Sequence, residues 1–188
     1  MQVGILKTDG GPHSPDKWAL ATTGQIMQAV FSTSAGETAA ARKFEIALLD
    51  ILAPHHEKVQ LHERGKIEEH GLDRLAHPVE PQLHCDAVVA DIAAAALAAG
   101  SVTAPDPDKP GEVKTIDLGA HFAKPDVQEA LAGLIGAHFA SAMDIERSWH
   151  ADRNAGHPEA KAYRAARTEH GAAHVHAHIH KYRGGHAA

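Results

Sequence analysis

The stretch Glu80-Pro81-Gln82-Leu83-His84-Cys85-Asp86-Ala87-Val88-Val89-Ala90-Asp91-Ile92-Ala93-Ala94-Ala95-Ala96-Leu97-Ala98-Ala99-Gly100 reads as one helix. Alanine is the strongest helix former, and Gly100 suits a left-handed C-terminal stop. Leu83, Ala87, Val88, Ile92 and Leu97 are the expected buried positions of this helix. Alanine-rich helices approach one another closely, and aromatic residues make up only 4% of the chain, so the interior should be helix against helix. The expected fold class is mainly α with a small β element (α+β): about five helices packed around Ala-rich faces plus two or three short strands.

Working outward from this helix, Ser101 to Gly111 carries three prolines, two aspartates and a lysine, the composition of a loop or linker. It suggests a mostly helical region over 1–99, a linker over 100–111 and a strand-helix-helix region over 112–188, or a single domain spanning all three. Val113 to Leu118 alternates with period two and predicts a strand. Lys124-Pro125-Asp126 opens a long helix whose stripe runs Val127, Leu131, Leu134, His138, Ala142, Ile145, Trp149, and Pro158 opens another that ends near His170.

On the N-terminal side, Val3 to Lys7 predicts a brief strand, and Ser14-Pro15 starts a helix with Trp18, Ile26 and Val30 on its apolar face. Ser34 with Glu37 has capping-box spacing ahead of Phe44, Ala47, Leu48 and Ile51. Pro54 removes an amide donor and should end or kink that helix at Ala53, before a charged stretch resumes from His55 to His70 and closes at Gly71.

Histidine is the unusual component, at 17 of 188 residues, and it culminates in His174-Val175-His176-Ala177-His178-Ile179-His180. On a strand all four imidazoles share one face; on a helix the pairs His174/His178 and His176/His180 have the i, i+4 spacing that chelates a metal. Zinc needs three or four converging ligands. No CxxC, HExxH or clustered carboxylate motif accompanies the row, which favours a polar surface of unliganded imidazoles over a native site; the candidate metal ligands are His174, His176, His178 and His180, with zinc or nickel the candidate ion, and no cofactor is required. His55, His56, His62 and His70 lie among charged residues and read as a solvated or subunit-facing surface.

For catalysis, Asp9, His13 and Asp16 are the only closely spaced acid/base trio in a loop, which would suit a small hydrolase. GxSxG, GxGxxG and GxxxxGK[ST] patterns are absent. The net charge is −6 with Lys and Arg dispersed, which disfavours direct nucleic-acid binding; the N-terminal residues show no charged region followed by a long apolar stretch, and no segment approaches about 18 uninterrupted apolar residues, so neither a signal peptide nor a membrane partner is expected. The single cysteine, Cys85, forms no internal disulfide and is expected to be a small buried helix residue in a cytoplasmic or intracellular setting. Alanine-rich faces that a small domain does not fully cover point to a structural or assembly protein acting through homo-oligomeric contacts, such as a subunit of a phage head or connector.

Overall fold

Proline and glycine mark where the helices begin and end. The computed structural model describes residues 15–31, 38–106 and 108–170. Their order is α1 (Pro15–Phe31), α2 (Ala39–His70), a 3-10 helix (Gly71–Ala76), α3 (Gln82–Ala99), β1 (Ser101–Pro105), β2 (Val113–Asp117), α4 (Leu118–Phe122), α5 (Pro125–Arg153) and α6 (Pro158–His170). The described chain is mainly helical with one small two-stranded antiparallel sheet, the fold class expected. Pro15, Pro125 and Pro158 each occupy a first helical position, where the missing amide is no loss. Gly71 and Gly100 follow α2's and α3's last residues with φ of 66° and 81°, a region that costs other residues about 1–2 kcal/mol.

Internal contacts divide the chain into two units, each assembled from two separate stretches: residues 1–56 with 82–136, and residues 57–81 with 137–188. In the first unit, Ala41, Phe44, Leu48 and Leu52 of α2 are buried, as are Cys85, Val88, Ile92 and Ala96 of α3. Phe122 of α4 meets Phe44 with ring centroids 5.3 Å apart. Asp117 caps α4 by accepting from the Ala120 amide at 2.9 Å, and a Cβ on Gly119 would lie 3.3 Å from Leu97 Cα, so glycine is what lets α4 lie against α3. In the second unit, Leu75, Ala76, Ala151, Ala160, Tyr163 and Ala166 form a small-residue core, with Leu72 packed on it.

Several sequence expectations need correction. Ser101–Pro105, read as linker, is strand β1; it pairs with β2 in the register Val102↔Ile116 and Ala104↔Lys114, and buries Val102 and Ala104. Pro105 ends β1 and Pro110 lies in the hairpin loop, where Asp106 Oδ1 accepts from the Asp108 amide at 3.0 Å. Pro54 neither ends nor divides α2. Its ring sits on the exposed side of a helix whose buried stripe continues through Leu48, Leu52, His56 and Val59, and burial on both sides offsets the roughly 3 kcal/mol a mid-helix proline costs. The α2 cap is Thr38, whose Oγ1 accepts from the Ala41 amide at 3.1 Å; Ser34 and Glu37 lie outside the described residues.

The faces of two helices also differ. On α3, Leu83, Ala87 and Leu97 are exposed, while Val88 and Ile92 are buried together with Cys85 and Ala96. On α5, Trp149 is 47% exposed, and the fully covered stripe advances in steps of four from Leu131 through Ile135, Phe139, Met143 and Arg147 to Ala151.

Candidate functional site

The four-residue periodicity of α5 carries charge into the second unit. Arg147 continues the row set by Phe139 and Met143, so its guanidinium is buried with no exposed surface. Glu63 on α2 is equally covered and meets it: Arg147 Nε donates to Glu63 Oε1 at 2.5 Å, and Arg147 Nη1 donates to the His77 carbonyl oxygen at 2.6 Å. Arg74, from the 3-10 helix, donates to both oxygens of the same carboxylate, at 3.2 and 3.0 Å. Burial alone would push the Glu63 carboxyl up, but the hydrogen bonds and charges of Arg74 and Arg147 outweigh it and hold the group below its usual range.

One turn earlier, Asp144 is also buried. Its carboxylate accepts from the Tyr163 hydroxyl of α6 and from Arg167 Nε, the latter at 2.8 Å. Burial first, then the Asp144 charge, push the Tyr163 phenol well above its usual range, so it stays a neutral donor. Glu146 takes a two-point clamp from Arg64 at 2.7 and 3.3 Å, with His150 Nε2 at 3.4 Å. Each of the three carboxylates is therefore held by a guanidinium through charge-assisted hydrogen bonds. Such an arrangement fixes the register of α2, the 3-10 helix, α5 and α6 within this unit.

In the first unit, His56 is fully buried and stacks on Trp18 of α1, centroids 6.1 Å apart. Thr22 donates its hydroxyl proton to the Trp18 carbonyl oxygen at 2.9 Å, so in the 3.3 Å contact between them His56 Nε2 is the donor and Thr22 Oγ1 the acceptor. This corrects the reading of the central histidines as a solvated or subunit-facing surface at one position: His56 is core, while His55 and His62 are half-buried and His70 is exposed. Glu63, read as part of the same charged face, is core too.

The remaining chemistry-bearing surface is α3. Its buried side presents Cys85, Val88, Ile92 and Ala96, and burial together with Asp86 pushes the Cys85 thiol up, away from reactivity. The opposite side presents Leu83, Ala87, Ala90, Ala94 and Leu97, all exposed, with Leu83 at 70% and Leu97 at 74%. Asp86 and Asp91 flank this apolar row, and His55 Nε2 lies 3.4 Å from Asp91 Oδ2.

Of the residues singled out from the sequence, Asp9 and His13 lie outside the described residues, as do His174, His176, His178 and His180, together with the strand expected at 3–7 and the tail that fits either strand or helix. Asp16 falls in the first turn of α1, its side chain outside the description. Among the described residues no group of three or more His, Cys, Asp or Glu side chains is placed to hold a metal ion. No protein-family model, curated protein or solved structure matches the chain, so the arrangement of its own residues is what any reading of function must rest on.

Proposed function

We propose that this chain is a non-enzymatic structural or assembly protein that works through contacts between copies of itself, as a building block of a larger symmetric particle of the kind that phage heads and connectors represent. The observation that carries this reading is the outward side of α3, where two leucines and three alanines lie open in one row. Folded chains rarely leave a contiguous apolar surface of more than a few hundred Å² to water unless something docks there. Charged groups clamped in mutual pairs, as around Glu63 and Asp144, stabilise a rigid subunit and are poorly suited to proton transfer.

Sedimentation velocity across a concentration series at and above the micromolar range tests the proposal. The expected result is a species heavier than the 19.9 kDa chain that grows with concentration. Replacing Leu83→Glu and Leu97→Glu together should return the protein to monomer with the melting temperature of the dilute, unassociated wild type, since both side chains are exposed in the single chain. A monomer at every concentration would overturn the reading.

A further inference from the structure

The outward row of α3 also carries directional information. We infer that two copies pair through α3 in antiparallel orientation about a twofold axis, each copy's Leu83 against Leu97 of the other; this rests on the self-association proposed above.

Self-pairing is favoured by the order of side chains. Leu83, Ala87, Ala90, Ala94 and Leu97 advance in steps of four, three, four and three, the spacing of a two-helix seam, and the sequence large-small-small-small-large is the same read from either end. A twofold interface requires one patch to complement its own reverse, which such an order does. Alanines at the centre allow the helix axes to come close, with the leucines closing each end.

The helix dipoles select the direction. α3 contains Asp86 and Asp91 and no lysine or arginine. Parallel pairing would bring Asp86 of one copy and Asp91 of the other onto one rim, about 7.5 Å apart along the axis, on both sides of the seam, and would align two helix dipoles. In the antiparallel register Asp86 faces Ala94 of the other copy, and the two Asp86 side chains separate by about 12 Å along the axis, beyond the roughly 8 Å screening length at physiological ionic strength. Only Asp91 meets its equivalent, and each Asp91 has His55 beside it.

The same aspartates argue against a lipid occupant. α3 is long and apolar enough to cross a bilayer, but an aspartate at bilayer depth costs about 2.5–3.5 kcal/mol, whereas a helix pair leaves both at its wet rim. A contact along one 18-residue helix buries on the order of 1,000 Å² in total, the low end for a specific interface, so the dimer should be concentration-dependent rather than obligate.

Disulfide trapping in the full chain tests orientation directly. Cys85 is buried on the opposite side of α3, so the wild type serves as the non-crosslinking control. Under mild oxidation Ala90→Cys should crosslink to itself, and a mixture of Leu83→Cys with Leu97→Cys should crosslink at least about tenfold faster than either variant alone, because only the mixed pair comes within disulfide reach. Faster self-crosslinking of Leu83→Cys, or a sedimenting dimer that no α3 cysteine traps, would overturn the antiparallel pairing while self-association stands. A monomer at every concentration overturns self-association itself, and a monomer that floats with neutral phosphatidylcholine vesicles assigns the face to lipid and overturns the pairing.

Discussion

Arg147 donates to Glu63 across 2.5 Å with neither side chain reaching solvent, and a second arginine, Arg74, closes on the same carboxylate from the 3-10 helix. One negative charge therefore holds two guanidiniums, and through them three separate segments of one unit. Glu63→Gln keeps the shape but removes the charge that compensates Arg147. The expected cost is about 3–5 kcal/mol, read as a fall in the urea midpoint. Combining it with Arg147→Met should recover much of the loss, because the fully buried cation is then gone and only Arg74, which keeps an edge at the surface, has lost its partner; a double variant less stable than Glu63→Gln alone would contradict this account.

Stability should fall on both sides of neutrality, in windows set by different groups. Burial holds the His138 imidazole below its usual range, and burial followed by Lys124, against a smaller opposing effect of Asp126, does the same for His121. A lowered folded pKa means stability present above about pH 6.5 and lost as the pH falls through the folded values, so the melting temperature should drop between about pH 7.5 and 5.5. His138→Gln should flatten that slope. The depressed Glu63 carboxyl adds a second loss below about pH 4, and the raised Tyr163 phenol a third above about pH 10, where the unfolded tyrosine ionises and the folded one does not. A melting temperature that stays level from pH 7.5 to 5.5 would remove the histidine argument.

Pro54→Ala should stabilise the protein. Pro54 is exposed inside the continuous α2, so alanine restores an amide donor to the helix without disturbing the core. A gain of about 2 kcal/mol is expected after the looser unfolded chain is allowed for, equivalent to several degrees in melting temperature.

Two glycines should respond in opposite directions to alanine. Gly24 lies exposed within α1 with open space around its Cα, so Gly24→Ala should add about 0.5–1 kcal/mol. Gly100 has φ of 81° at the end of α3, so Gly100→Ala should cost about 1–2 kcal/mol. Chemical denaturation of both variants side by side checks the pair, and equal signs would be the unexpected result.

A chelator should leave the melting temperature unchanged, as should glutamine at His174, His176, His178 and His180. A structural metal would link binding to folding by about 2.7 kcal/mol at a hundredfold excess of ligand, so a chelator-dependent drop that the quadruple variant no longer shows would install zinc at the histidine row.

What the sequence conveyed was the punctuation: Pro15, Pro125, Pro158, Gly71 and Gly100 all sit at the helix limits they suggest, and the alternation from Val113 is a strand. What it concealed was direction. α3 is apolar nearly all round, so Leu83 and Leu97 were indistinguishable by type from Val88 and Ile92, and only the packing of neighbouring elements separates the inner row from the outer. Glu63 and Arg147 were hidden for the converse reason, since charged residues default to the surface when read singly. A signal did exist: following Leu131, Ile135, Phe139 and Met143 in steps of four lands on Arg147, and following Phe44, Leu48 and Leu52 lands on His56. The β1 strand was masked by Pro105, its own last residue, and by the prolines that follow in the sequence.

The interleaving of the two units bears on how the chain acquires its structure during synthesis. Each unit is made from an early and a late stretch, so residues 1–56 leave the ribosome long before residues 82–136 exist to cover them, and residues 57–81 must wait for 137 onward. Folding in order from the N-terminus, one finished body at a time, is not available to this chain. The nascent polypeptide carries the apolar side of α2 only partly covered, by α1, until the later stretches are made, and arrest or truncation before α5 is complete leaves two half-built cores rather than one whole one.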